Sequence, residues 1–192
     1  MGHKEDLLAG AKQCLRELGY ANTTARDIVA ASGTNLASIG YHFGSKEALM
    51  TQAIIELIGE WGQQAAAAAP TEGGSYEERF AGHWRGLLET TDRDEQLAIA
   101  SFENATAALR MPALLPIISA GQEDARVGFG AEFSPAGTAP ETQRKVGALL
   151  LAVTSGVLVQ RLIDREKAPS PADIVEAFRV IGKALDAGKQ RA

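Results

Sequence analysis

Apolar residues recur every three or four positions along almost the whole chain, the period of helices packed on one side. Leu7, Leu8, Ala11, Leu15 and Leu18 set the first stripe over residues 4–18, and Gly19 ends it. A longer stripe of Met50, Ala53, Ile54, Leu57, Ile58 and Trp61 opens at Lys46 and should run to the alanines before Pro70. Ser75 with Glu78 reads as a capping box for a helix carrying Phe80, His83, Trp84, Leu87 and Leu88. A sixth helix is expected over 92–110. Pro112 and Pro116 then force a turn at 111–115 and a new helix from about Pro116 to Phe133. Thr138 and Glu141 form a further capping box for the helix that ends at Ile163. Ser170-Pro171-Ala172-Asp173 starts the last one: a cap, a proline at the first helical position, and an acid in the first turn. No stretch alternates in the manner of a strand, so the fold expected is all-α, with about nine helices.

The stretch 23–49 packs three helix starts into a short space. Thr24 with Asp27 caps a short helix from Ala25 to Ala31, and Gly33 suits the positive φ of a turn. Asn35 caps a second short helix, Leu36 to Tyr41, and Gly44-Ser45 leads into Lys46. Two short helices around a glycine turn are a helix-turn-helix, whose second helix can enter a DNA major groove. On that helix Ala37 and Ser38 allow close approach to base edges, and Leu36 can meet a thymine methyl. Tyr41 and His42 at its far end can bond phosphate oxygens. Lys46 with the first amides of its helix, and Arg26 one turn into the preceding one, supply positive charge.

Leu7 to Ala11, Gly19-Tyr20, Thr23-Thr24, Ile28-Val29, Gly33 and the run YHFGSKEAL together resemble the N-terminal signature of TetR-type transcriptional regulators. The resemblance covers about the first fifty residues. It implies an N-terminal three-helix DNA-binding domain, residues 1–45, and a helical effector-binding and dimerisation domain, residues 46–192. It implies phosphate contacts for Thr24, Arg26, Tyr41, His42 and Lys46, and base reading around Asn35, Leu36, Ala37 and Ser38. Two positions depart from the pattern: Gly40 stands where the family usually has tyrosine, and Thr34 where it usually has valine. Gly40 removes one contact and costs about 1 kcal/mol of helix propensity. The function implied is a ligand-responsive regulator, a repressor, that binds double-stranded operator DNA as a homodimer and is released by a small-molecule effector. The alternative is a helical small-molecule-binding dimer with weak or no DNA binding.

Charge adds little to that picture. The net charge is −5, and the first fifty residues are neutral, with five basic and five acidic side chains. Local placement, not bulk charge, must carry any affinity for phosphate. A single cysteine, Cys14, excludes an internal disulfide and suits a reducing cytoplasm. No apolar run reaches the roughly 18 residues of a membrane span, and no charged-then-apolar leader precedes the first helix, so a cytoplasmic location is expected.

The helix over 141–163 is apolar nearly all round, with Leu149, Leu150, Leu151, Val153, Val157, Leu158, Val159 and Leu162. One packed face accounts for about half of that, so the other half wants a partner. Ala148, Ala152, Ser155 and Gly156 would let another helix approach closely. With Ile174, Phe178, Ile181 and Leu185 of the last helix, two copies would build a four-helix bundle about a two-fold axis.

The middle of the chain should enclose the effector. Trp61, Trp84, Phe102, Met111, Ile117, Ile118 and Phe129 are candidate apolar liners, and His83, Glu103, Asn104 and Gln122 candidate polar handles. The mix suits an apolar or aromatic guest with one or two polar groups. The helix from Lys46 is the expected mechanical link, since its tilt moves the reading unit. Catalysis has little to build with: His83 beside Glu103 or Asp124, and Ser101, lack a nucleophile elbow or phosphate loop. No metal-ligand spacing appears and no cofactor is implied.

Overall fold

The computed structural model describes residues 3–67 and 75–189. Among them are nine α-helices, one short 3-10 turn and no strand. They are α1 (His3–Asn22), α2 (Ala25–Ser32), α3 (Leu36–Phe43), α4 (Lys46–Ala67), α5 (Tyr76–Arg93), α6 (Glu95–Ala108), α7 (Leu115–Phe133), α8 (Pro140–Ile163) and α9 (Pro171–Lys189).

Most starts follow the side-chain caps. Both halves of the boxes at Thr24/Asp27 and Ser75/Glu78 are present, and Asn35 accepts from the Ser38 amide. Ser170 and Asp173 bond each other's backbone amides in the same way before α9. Thr138 is the exception and corrects the expected box. Its hydroxyl donates to the Pro135 carbonyl at 2.7 Å, and Ala139 is the cap, without a side-chain bond. Pro140 occupies the first helical position and brings no N–H needing a partner. Gly19, at φ 77 and ψ 175, breaks α1 where the stripe ends, and one further turn runs on to Asn22. The sixth helix is shorter than expected, because Asp94 stops α5 and caps α6.

Two cores result. In the first, Leu7, Ala11 and Leu15 of α1 meet Ile28 and Ile39 of the next two helices and Leu49, Met50, Ala53, Ile54 and Leu57 of α4. Val29 and Phe43 lie half-buried against it. Leu97, Ala98 and Ala100 of α6 fill the same core, a partner that local periodicity could not announce. The second core joins Phe80, Trp84, Leu87 and Leu88 of α5 with Phe133 of α7, Leu150, Val157 and Leu158 of α8, and Ile174 of α9.

Helices α7 and α8 touch backbone to backbone. A Cβ at Gly147 would sit 2.7 Å from the Arg126 carbonyl carbon and 2.9 Å from the Gly130 nitrogen. A Cβ at Gly130 would meet the Gln143 carbonyl carbon at 2.8 Å.

Candidate nucleic-acid interface and effector site

Ile39 anchors α3 in the first core, and the opposite face of that helix looks outward. Leu36 and Ala37 are exposed, Tyr41 keeps 86% of its surface, and Ser38 and His42 are half-buried. Among the described residues the one ring neighbour of Tyr41 is His42, and no burial in the core explains an aromatic there. The Tyr41 and His42 rings meet edge to face, with centroids 4.8 Å apart, and His42 leans on Phe43 at 6.5 Å. Asn35 is exposed; its side-chain oxygen takes the Ser38 amide at 3.1 Å, leaving its NH₂ free to donate outward. At the start of α1, His3 Nδ1 lies 3.5 Å from Ser38 Oγ and Lys4 sits 6.0 Å above the Phe43 ring. The head of α1 therefore borders the same outward face.

The cations divide into two groups. Arg26 is exposed, with no ion pair among the described residues. Lys46 is half-buried and donates to the Thr23 carbonyl at 3.0 Å, with Glu47 3.7 Å away. An ammonium has three donors, so two remain for a phosphate. Thr24 is exposed, but its hydroxyl and amide are both engaged with the Asp27 carboxylate, at 2.7 and 2.8 Å. Those bonds hold the Asp27 carboxyl below its ordinary range. Lys12 and Arg16 turn away from α3: Lys12 pairs with Glu56 and Glu60 of α4 at 2.8 and 2.9 Å, and Arg16 with Glu60 and Asp94.

The expected effector constellation comes together in part. His83 and Trp84 are buried in the second core and Phe102 packs against it. Glu103 and Ile118 are half-buried. Met111 and Gln122 face outward instead, and Gln122 accepts from Arg126 at 3.2 Å. Gln122 lies on the outer face of α7 and Met111 in the turn between α6 and α7, so neither lines this core. The Trp61 side chain falls outside the described residues. Asn104 is already used, accepting from Thr51 at 2.9 Å in a bond buried between α4 and α6.

Around His83 the structure brings the expected Phe129 together with Phe133 and Glu132, which are not among the expected pocket residues. Phe129 and Phe133 stand at steep angles to its ring, at 5.5 and 4.9 Å. Glu132 Oε1 lies 3.8 Å from its Nδ1. These three residues fall on one face of α7, a spacing visible in the sequence once Phe129 is chosen as the start. Burial pushes the His83 imidazole down to about 4, so it is neutral at physiological pH and the contact with Glu132 is no salt bridge. Burial also raises the Glu132 carboxyl, although 41% of that side chain stays in contact with water. His83 Nδ1, Trp84 Nε1, Ser134 Oγ and Thr154 Oγ1 are buried without a hydrogen-bond partner. A separate cleft of about 260 Å³ lies where α5 meets the end of α8, lined by Thr91, Asp92, Glu95, Arg161, Leu162, Ile163 and Arg165. Its charges largely answer one another: Arg161 holds Asp92 through two bonds of 2.7 and 2.6 Å, and Arg165 joins them. Among the described residues no cluster of three or more His, Cys, Asp or Glu is placed to hold a metal ion.

A capped pair of short helices, its second member exposed and carried on a larger helical body, defines a helix-turn-helix regulator. The chain belongs to the tetR family of bacterial regulatory proteins, whose profile matches residues 7–53, while that of the tetracyclin repressor-like C-terminal domain matches 76–183. It is 34% identical over 96 residues to the HTH-type transcriptional repressor AcnR of Corynebacterium efficiens, covering 50% of this chain and 46% of that one. It is 45% identical over 60 residues to the HTH-type transcriptional dual regulator CecR of Shigella flexneri, covering 30% and 26%. The chain thus spans about half the length, or less, of these curated relatives. Among solved structures, the multidrug binding protein EbrR complexed with ethidium superposes with a TM-score of 0.67 at 23% identity, over 93% of this chain and 97% of that one. A transcriptional regulator from Rhodococcus reaches 0.72 at 15% identity, over 92% and 93%. At these identities the structures show the fold.

Proposed function

We propose that this chain is a ligand-responsive transcriptional repressor, cytoplasmic and not an enzyme, that reads operator DNA with α3 as a homodimer. The observation that carries the reading is the outward face of α3, where Leu36, Ala37 and Tyr41 are exposed on a helix that Ile39 fixes in the core. Leu36, Ala37, Ser38 and the Asn35 amide are the base-reading groups in this proposal. Arg26, Tyr41, His42 and Lys46 hold phosphate, and Thr24 acts first as a cap. The repressor names of the relatives support the direction of control. The multidrug binding protein EbrR, complexed with proflavin, supports a small-molecule effector, and the second core is where this proposal places it.

Residues 1–45 and 46–192 are divided by role in this proposal, since the first core itself draws on α4 and α6. The homodimer is supported by α8, which, against the expectation of no such segment, is long and apolar enough by composition to cross a membrane, with a mean hydropathy of 1.9, yet has only 22% of that window buried. Leu149, Val159 and Ile163 of α8 and Val180, Ile181 and Leu185 of α9 stand in solvent. Ala148, Ala152, Ser155 and Gly156 are exposed on the same helix, and among the described residues nothing beyond the helix's own backbone lies within 4 Å of a Cβ at Gly156. A second copy covers an apolar helix face as well as a bilayer does, and a two-fold pair of reading helices needs one.

The test is a gel shift with DNA upstream of the protein's own gene, at several salt concentrations. Arg26→Ala should weaken binding to all sequences alike and lower the salt slope by about one unit. Lys46→Ala should do the same and also lose the bond to Thr23, costing about 1 kcal/mol of stability. Ser38 and Ala37 substitutions should instead change which sequence is preferred. Unchanged affinity in both cation variants refutes the phosphate roles. One feature favours the second reading, a binding dimer with little DNA affinity: Gly40 leaves the middle of α3 without a side chain. No shift with any upstream fragment would select it.

A further inference from the structure

Resting on the sensor reading above, we propose that the effector is an organic cation, held between the Glu132 carboxylate and His83 Nδ1 against the rings of Phe129 and Phe133. Glu132 Oε1 and His83 Nδ1 are 3.8 Å apart, too far to bond each other. In the Nε2–H tautomer His83 Nδ1 carries a lone pair, and it and the carboxylate oxygen can then both accept from one ammonium or amino group set against them. His83 is 4% exposed and its Nδ1 has no partner, so the chain itself supplies no donor there. No lysine or arginine among the described residues pairs with Glu132, unlike Glu123, which has both Arg126 and Arg144.

A carboxylate set beside aromatic rings and left without a cation is an unfavourable arrangement for the empty protein and a favourable one for a cationic guest. The rings add to the selection. His83, Phe129 and Phe133 stand mutually within 6.3 Å, and a π face attracts positive charge. The neutral His83 adds an acceptor without adding a repelling charge. An anionic aromatic of the same size would meet the Glu132 carboxylate with no compensating cation. The Trp84 indole N–H is a buried donor without a partner, which an oxygen or ring nitrogen elsewhere on the guest would satisfy.

The experiment titrates the full-length protein, without DNA, with proflavin and ethidium as cationic probes and with anilinonaphthalene sulfonate as an anionic one, followed by fluorescence. Saturable binding of at least one cation is expected. Glu132→Gln should weaken it about tenfold or more, as when a charge partner leaves a partly desolvated site. Glu132→Asp keeps the charge and should retain most of the affinity, and near-ultraviolet circular dichroism checks that both variants are folded. The anion should gain affinity, or lose none, in Glu132→Gln. Cation binding unchanged by Glu132→Gln overturns the proposal, as does the absence of saturable binding by both cations. Because both cations also intercalate into DNA, a separate gel shift with each probe, read as the difference between the parent and Glu132→Gln, tells the two readings apart. If the anion, but neither cation, releases operator, the cation class falls and the sensor reading stands. If the cations bind through Glu132 and operator binding never responds, the sensor reading falls alone.

Discussion

Replacing Gly147 by alanine tests the backbone contact between α7 and α8. The added methyl would lie 2.7 Å from the Arg126 carbonyl carbon, closer still to its oxygen, and 2.9 Å from the Gly130 nitrogen. All of these are backbone atoms, so no flexible side chain can swing aside. Normal contact with the Arg126 oxygen requires α7 and α8 to separate locally by about 1.5 Å, and even a gap of about 1 Å forfeits up to half of each contact's attraction. Leu150 and Phe133, both buried in the second core, belong to the two helices that would part. Overpacking of this kind costs about 1–3 kcal/mol, and a backbone obstruction belongs near the top of that range. Alanine recovers about 1 kcal/mol of helix propensity, so the net loss should be about 2 kcal/mol. For a chain of this size that is a fall in Tm of about 4–8 °C.

The assay is thermal and urea unfolding by circular dichroism, with Gly40→Ala as the control. Gly40 is also helical, but nothing in the chain lies within 4 Å of a Cβ there. The control should gain about 1 kcal/mol. A Gly147→Ala protein as stable as the parent would refute the backbone contact between α7 and α8.

Leu149→Glu and Ile181→Glu, at exposed positions, should halve the mass seen in sedimentation while leaving the fold intact; Leu150→Glu or Val157→Glu, both buried within the chain, should unfold it instead. A parent protein that sediments as a monomer would remove the dimer. His83 gives stability a pH dependence: the unfolded imidazole takes a proton near 6.5 and the folded one only near 4, so stability falls as the pH drops through that window, by up to about 3 kcal/mol. Glu132, raised by burial, works against this, and His83→Gln should flatten the loss in urea titrations at stepped pH. Asp92→Asn should cost about 1.5–3 kcal/mol in the same unfolding assay by releasing Arg161. Arg161 holds the Asp92 carboxyl below its ordinary value, so this contribution is present at neutral pH and is lost as the pH falls below the unfolded carboxyl's range.

Helix starts at Thr24, Asn35, Ser75 and Ser170 were legible because a cap is a bond between neighbours three residues apart. Thr138 misled because the same spacing gives no hint that its hydroxyl has a nearer carbonyl, at Pro135. Period alone also fixes which residues share a face, but not which face turns inward. On α8, apolar nearly all round, Leu150 and Val157 went to the core and Leu149 and Val159 to solvent. On α9 the single stripe divided, with Ile174 inside and Ile181 and Leu185 outside. The effector residues scattered for the same reason: each was chosen from its own helix, and the rotation of one helix against the next is set by packing. The reading helix suffered least, since its exposed face is defined by caps and one anchor, Ile39.

The path between the two candidate sites is wider than the single long helix the sequence suggests. Helix α4 does run out of the first core, but α6 belongs to both cores. Leu97, Ala98 and Ala100 fill the first, while Phe102 packs on the second. The two helices are tied by the buried bond from Thr51 to Asn104, so a tilt of one pulls a hydrogen-bonded partner with it. At its start, α6 rests on the break in α1. The Gln96 side chain occupies the place where a Cβ at Gly19 would go, and the positive φ of Gly19 excludes a larger residue in any case. Leu162 of α8 packs against the first core too, one residue beyond the Arg161 that grips Asp92. In the proposed repressor, a guest that shifts the aromatic cluster around His83 would act on α3 through α6 and α8 as well as α4. Its leverage would be the difference in its affinity for the docking and non-docking arrangements, typically about 1–3 kcal/mol for such couplings. Under that proposal operator DNA would weaken the guest by the same factor, whichever of the three helices carries the change.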